Sequence, residues 1–426
     1  MHICIFEDEF YKKLLPLAHL HPVYDLRCGI TLLREKITQS YSKAELILHV
    51  RDYLSRVVEE EHPNISVNKI PTGVKEALFI NGRLLMSDKV KKNIGEEYPG
   101  KDIAYLKNEV IVAAWLSDEH LQWMNSFFKD RVLVSGCFEP MDEEELSDAQ
   151  LITFPWELIH QNGAQLISDF NIVTDGKPQV LGRVHEGAHL LNPSQIHIAG
   201  GAKVNPGVVL DAEEGPIYIS KDVNIMPNAV IRGPAFVGEN SVVKISSKIY
   251  ENTTVGETCK VGGEVEESII HAHSNKQHEG FLGHSYLGEW VNIGADSNSS
   301  DLKNDYGSVK VYNDGALVDT GSQFVGLIMG DHSKCGINSM FNTGTVVSVF
   351  CNLFGAGTPP KYVPAFAWGG ADGLVAYKIE KAIEVARKVM SRRKIELSSG
   401  EEQLFKTVFN MTMGERADGG VKNRGD

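Results

Sequence analysis

Several features are scarce in this 426-residue chain, and each scarcity removes a class of protein. The six cysteines (Cys4, Cys28, Cys137, Cys259, Cys335 and Cys351) are scattered, with no C-x-x-C pair. That excludes a zinc knuckle or a dithiol redox motif and points to free thiols in a reducing compartment. Basic residues are outnumbered, 42 Lys and Arg against 56 Asp and Glu, for a formal net charge of −14. General binding to a nucleic-acid backbone needs clustered cations and is therefore not expected. A small phosphorylated ligand needs only a few placed ones. No apolar run approaches the roughly 20 residues that span a bilayer. The first residues, MHICIFEDEF, have neither the basic nor the apolar segment of a secretory leader. The expectation is a cytoplasmic protein with no membrane partner.

The chain does have a period of six. Steps of six from Ile219 reach Ile225, Ile231, Val237, Val243, Ile249, Val255 and Val261. A second run goes from Met329 through Cys335, Phe341 and Val347 to Leu353, and a short one joins Ile198, Val204 and Leu210. At 42% apolar composition, eight such positions in a row arise by chance roughly once in a thousand. Six fits neither a helix nor an alternating strand. It fits a triangular solenoid with one hexad per face and three hexads per coil. Gly238, Gly256, Gly262, Gly294, Gly330 and Gly336 follow repeat positions, where a Cβ would often clash at the corner. The ladder is expected to break between about Glu266 and Leu282, and again between about Asp296 and Gln323. Both stretches are rich in His, Asn, Lys and Asp, and insertions in a solenoid gather on its binding face.

Elsewhere the patterns are ordinary. Ile3–Phe6, Ala77–Ile80, Ile103–Tyr105 and Val110–Leu116 read as strands, and Ser42–Glu60 and His120–Phe128 as helices, which together favour an α/β domain. Leu374, Val375, Ile379, Ala382, Ile383, Ala386, Val389 and Met390 have helical spacing. Ser398-x-x-Glu401 reads as a capping box that opens a further helix. These helices are expected to cap the open end of the solenoid or to pack in an oligomer. Length and composition suggest a domain at 1–180, the solenoid at 181–370, helices at 371–412 and a disordered tail at 413–426.

Gly283-His284-Ser285-Tyr286-Leu287-Gly288, then Val291-Asn292-Ile293-Gly294-Ala295, then Asn304-Asp305-Tyr306-Gly307 with Lys310 form an ordered set. The set resembles the G-H-x-x-Y-L-G, V-N-I-G-A-G and N-Y-D-G segments of bifunctional N-acetylglucosamine-1-phosphate uridylyltransferase/glucosamine-1-phosphate acetyltransferases. It departs in having His284 one residue closer to the Tyr and about one coil segment fewer between the first two parts. The glycine-rich phosphate loop that opens those enzymes has no counterpart here. In its place stand Leu15-Pro16-Leu17, then His21 to Thr31, then Arg34-Glu35-Lys36. That arrangement, with Phe154-Pro155-Trp156-Glu157-Leu158, Asn162, Asp169 and Trp368-Gly369-Gly370, resembles a divergent branch of nucleotidyltransferase-like proteins that carry the same kind of solenoid.

The resemblance implies an α/β nucleotidyltransferase-like domain, a left-handed parallel β-helix and C-terminal helices, assembled as a homotrimer. It implies a nucleoside triphosphate and a sugar phosphate as substrates, Mg²⁺ with the nucleotide, and acetyl-CoA as acyl donor. Acyl transfer needs a base for the acceptor's proton, and His284 fills that role. Tyr286, Asn292 and Lys310 are acceptor-site residues by the same resemblance, with an asparagine ladder as the other reading of Asn292. Arg27, Gly29, Thr31 and Lys36 form a phosphate cradle. Asn81 and Arg83 stand at a strand's carboxyl end, where an α/β sheet places ligand contacts. Asp88 and Asp169 are the metal-ligand candidates. His271, His273 and His278 are close together but fit no zinc spacing. The alternative is a non-catalytic sugar-nucleotide-binding or regulatory protein on the same scaffold, a reading favoured by the missing glycine loop.

Overall fold

The computed structural model describes residues 1–128, 132–138 and 141–423. The N-terminal domain is built on β1 (His2–Phe6), β2 (Glu45–Leu48), β3 (Ser66–Val67), β4 (Glu76–Asn81), β5 (Ile103–Lys107), β6 (Val110–Ser117) and β7 (Asp142–Glu145). The sheet order is β3-β2-β1-β4-β6-β5-β7, with β1 to β4 parallel and β6 antiparallel to both neighbours. The expected helix over Ser42–Glu60 is corrected. Residues Glu45–Leu48 pair with β1, and only Asp52–Glu61 is helical. Period alone cannot separate a short apolar run such as ELIL from a buried helix, and here it lies in the sheet interior.

From Arg183 onward, short parallel strands wind into the left-handed parallel β-helix. Among the described residues its faces are sheets of nine, eight and six strands. Residues stack about 18 apart: Ile219 beside Val237, then Val255, and Ile225 beside Val243, then Val261. Every hexad residue of the three runs is buried in one continuous core. The glycines after them have no left-handed φ. That conformation is carried instead by Asn228, Asn240, Ser246, Asn252 and Thr258. The glycines are needed because neighbouring coils approach closely: a Cβ on Gly256 would lie 1.4 Å from the His271 carbonyl oxygen.

The first expected interruption is not an excursion. Val265, Ile270, Lys276 and Leu282 continue the inward register, and Lys276 takes an apolar residue's place. Its Nζ donates to the carbonyls of Gly262 (3.0 Å) and His278 (2.8 Å), which satisfies the buried ammonium. Only the second interruption leaves the coil, as a hairpin of Lys310–Asn313 and Ala316–Asp319.

Two readings of the C-terminal region also change. Leu374 and Val375 belong to a strand, Gly373–Ala376, which folds back on Ala367–Gly370 and closes the last coil, and the helix begins at Ile379. The capping box holds: Ser398 Oγ accepts from Glu401 N–H at 3.0 Å, and Glu401 accepts from Ser398 N–H at 2.7 Å. The next helix, Ser399–Met411, packs against Asp52–Glu61, so these helices strap the coil to the N-terminal domain. Met413–Asp418 is helical rather than disordered, because Arg416 is buried and bonds to Phe409 O and Thr412 Oγ1. Residues 424–426 of the expected tail lie outside the described residues.

Candidate functional site

The first face of the coil carries apolar residues on both sides. Ile270, Leu287, Met329 and Val347 point inward, while Ile269, Tyr286, Ile328 and Val346 pack outward against Leu14, Leu17, Val23, Leu26 and Trp156 of the N-terminal domain. This seam takes up most of the expected phosphate cradle. Lys36 Nζ lies 2.6 Å from both carboxylate oxygens of Asp169. Asp169 also accepts from Ile30 N–H, Thr31 N–H and Thr31 Oγ1. Gly29 (φ +86°) has its N–H on Asn162 Oδ1, while its carbonyl accepts from Thr254 Oγ1 of the coil. Arg27 makes a two-pronged bond to Glu257 of the coil, at 2.9 and 2.7 Å, and bonds to Ile30 O. These four residues are indeed brought together, but their polar groups are directed at Asn162 and Asp169 of the N-terminal domain and at the coil.

Tyr286 is likewise corrected as an acceptor contact. It is fully buried, and its hydroxyl accepts from Arg27 N–H (3.0 Å) and donates to Arg27 O (3.3 Å). Asn81 and Arg83 do stand at the end of β4, but both turn inward to Asp8. Arg83 donates to Asp8 at 2.8 and 2.5 Å, and Asn81 Nδ2 donates to Asp8 at 2.8 Å. Glu7 is bound in the same way by Arg51 and by Val23 N–H. Asp88 is exposed in the first turn of an ordinary helix, Asp88–Ile94. A Mg²⁺ ion would need free carboxylate oxygens. Every carboxylate oxygen of Asp169 and Asp8 already accepts from an internal donor, the cation of Lys36 or Arg83 among them, so these residues do not fit the ion. No group of three or more His, Cys, Asp or Glu suited to a metal occurs among the described residues. Of the three clustered histidines, His271 bonds to Asp25 O and His273 stacks on Trp290.

His284 has a different environment. It sits at a coil corner with φ +42°, in a strained region for a bulky side chain. Its Nδ1 lies 2.8 Å from Asp301 Oδ2, its Nε2 lies 3.3 Å from Glu267 Oε2, and its ring stacks on Phe324 at 4.9 Å. Two coils and the two ends of the excursion thus converge on one imidazole. Burial alone would lower its pKa, but the hydrogen bonds that the protonated ring donates to Asp301 and Glu267 outweigh burial and lift it to about 9. The same contact holds Glu267 below the usual carboxylate range. Glu267 and Asp301 carry no motif that singles them out in the sequence. Their signal is position, since Glu267 lies one coil before His284 at the same corner.

Asn292 is on the outer second face, a rung between Asn275 and Lys334, with Asn275 Nδ2 3.5 Å from its Oδ1. Lys310 is exposed on the hairpin, opposite Asp319. The hairpin docks on the N-terminal domain through Asn313 Nδ2 to Lys13 O, at 2.7 Å. A cavity of about 440 Å³ lies beneath it, between Lys12, His19, Tyr312 and Tyr362.

Residues 3–178 match the sugar nucleotidyl transferase family. A bifunctional sugar-1-phosphate nucleotidylyltransferase/acetyltransferase of Sulfurisphaera tokodaii is 29% identical over 143 residues, 33% of this chain and 36% of that protein. The bifunctional protein GlmU of Methanococcus aeolicus is 29% identical over 260 residues, 60% of this chain and 57% of that protein. A solved UDP-N-acetylglucosamine acyltransferase of Francisella novicida aligns over 57% of this chain and 95% of its own, at 11% identity and a TM-score of 0.28. The chain thus spans between about a third and somewhat over half of the length of the curated relatives it matches. With its first domain matching the sugar nucleotidyl transferases, the chain is a low-identity relative of the bifunctional sugar-1-phosphate nucleotidylyltransferase/acetyltransferases of sugar-nucleotide metabolism.

Proposed function

We propose that the β-helix transfers an acyl group from an acyl-CoA thioester to the amine of an amino-sugar phosphate, with His284 as the base. The observation that carries this reading is the buried imidazole held between Asp301 and Glu267. Asp301 fixes the ring through Nδ1 and leaves Nε2 as the reactive nitrogen, as a base and its orienting carboxylate require. In the free protein Glu267 lies against Nε2 and favours imidazolium. An acceptor amine that displaces Glu267 removes one charge from the ring, so the ring releases its proton more readily and can take the amine's. Assembly as a homotrimer belongs to this proposal and is tested by light scattering.

For the N-terminal domain a second reading has a specific observation behind it. Lys36, Asn81 and Arg83 are satisfied internally and Arg27 is ion-paired with Glu257 of the coil, which favours a domain that binds a sugar nucleotide, or only supports the coil, over one that catalyses nucleotidyl transfer. Assays with acetyl-CoA and hexosamine phosphates, and separately with nucleoside triphosphates, sugar 1-phosphates and Mg²⁺, examine both halves. Acetyl transfer abolished by His284→Ala is the expected result. Turnover that survives this substitution sinks the base assignment, and Mg²⁺-dependent turnover in the second assay sinks the binding-only reading.

A further inference from the structure

A cavity of about 300 Å³ separates the second face of the coil from the end of the helix Ile379–Ser391. The coil contributes Lys260 and Lys334 to its lining, and the helix end contributes Arg392 and Arg393. Among the described residues no carboxylate lines it, although the chain as a whole carries a net charge of −14. Cations at a helix C-terminus are favoured by the helix dipole, which accounts for Arg392 and Arg393 being where they are. It does not account for Lys260 and Lys334, which come from separate coils of β-structure. Two of the side chains are already oriented, Arg393 by Asn275 Oδ1 (3.0 Å) and Lys334 by His332 O (2.7 Å). Burial lowers Lys334 to about 8, and burial with the neighbouring Arg393, Lys244 and Arg392 lowers Lys260. Converging like charges that lack a counter-ion are relieved by a bound anion.

One wall of the cavity is aromatic. His273, Trp290, His332, Phe350 and Phe366 occupy successive turns of one corner, all with φ between 54° and 59°. His273 stacks on Trp290 at 4.3 Å, His332 on Phe350 at 4.6 Å and Phe350 on Phe366 at 4.8 Å. Phe405 and Phe409 of the strapping helix cover the far end of this ladder. The near end, His273 and Trp290, borders the cavity. Burial lowers His273 to about 4, so its ring is neutral, and its Nδ1 is buried without a hydrogen-bond partner.

We propose that this cavity binds a nucleotide bearing two phosphates, with Lys260, Lys334, Arg392 and Arg393 on the phosphates and the His273–Trp290 edge beside the base. The site uses none of His284, Glu267 or Asp301, and its coenzyme A form would rest on the acyl-transfer reading as the donor's seat. A nucleoside diphosphate and the phosphorylated adenosine end of coenzyme A share this chemistry. Calorimetry therefore uses pyrophosphate, UDP and coenzyme A, on the full chain and on the Arg392→Gln/Arg393→Gln and Lys260→Gln variants. These side chains lie at a helix end and on an outer face, and thermal melts confirm that the variants are folded. The expected result is saturable binding of UDP or coenzyme A that weakens with salt, falls at least tenfold in both variants, and is unchanged in His284→Ala. Stronger binding of UDP assigns the site to a nucleoside diphosphate, and stronger binding of coenzyme A assigns it to the phosphoadenosine end. Absence of saturable heat from all three probes at millimolar concentration overturns the proposal, as does binding that both variants retain. Because His284→Ala leaves this binding intact, the result separates from success or failure of acyl transfer.

Discussion

Lys36 and Asp169 face each other across 2.6 Å with side chains only 4% and 3% exposed, and this pair ties the helix Leu33–Ser40 to the helix Pro155–Val173. An uncompensated charge left at such a depth is costly. Lys36→Met is expected to destabilise the protein by about 3–5 kcal/mol, and Lys36→Met/Asp169→Leu by less than the sum of the single changes. Urea denaturation of the three variants measures this. Lys36→Met at wild-type stability with only nucleotide binding lost would instead return Lys36 to a phosphate site.

Tyr286 separates a structural from a substrate role in the same way. Its hydroxyl is the partner of both Arg27 N–H and Arg27 O at the seam. Tyr286→Phe leaves a buried N–H unpaired, at a cost of about 1–3 kcal/mol. The expected outcome is a lower melting temperature with KM for the acceptor unchanged. A raised KM at unchanged stability would show that the hydroxyl holds substrate.

These two residues also mark what is legible in the sequence. The hexads give the coil, its core and its close-packed glycines, because a period of six is compatible with few folds and each step reports the same environment. The interdomain seam is harder to read, although Ile269-Ile270, Tyr286-Leu287, Ile328-Met329 and Val346-Val347 are paired apolar residues where an exposed face would alternate. The motif residues Arg27, Lys36, Arg83 and Tyr286 are the types that bind phosphates and sugars. Only the fold shows that their partners are Glu257, Asp169, Asp8 and a backbone amide. His284 is legible, but its two carboxylates come from other coils.

The glycines offer a sharper test of coil packing. Gly256 and Gly336 both follow hexad residues. A Cβ on Gly256 would overlap the His271 carbonyl, whereas one on Gly336 would meet nothing closer than 3.5 Å. Gly256→Ala is therefore expected to cost about 1–3 kcal/mol or more through forced separation of the coils. Gly336→Ala is expected to be neutral or stabilising by up to about 1 kcal/mol. Equal melting temperatures for the two variants would mean that close approach of the coils does not select glycine at these corners.

The pH dependence of His284 follows from its two carboxylates. A base acts when neutral, so with the pKa lifted to about 9, kcat/KM for acyl transfer should rise with pH and level off only near that value. Glu267→Gln removes one of the groups that favour imidazolium, and should move the limb of the profile to lower pH. Asp301→Asn should lower both the pKa and kcat, because it also frees the ring to turn. Stability runs the other way. His284 has a folded pKa above its ordinary 6.5, so its contribution is complete below about 6.5 and is lost as pH rises through about 9. Melting temperatures should therefore fall between pH 7 and 10, by less in His284→Asn. A rate profile that does not move in Glu267→Gln, with the ring titrating as in wild type by NMR, would show that the carboxylate does not control the proton on His284.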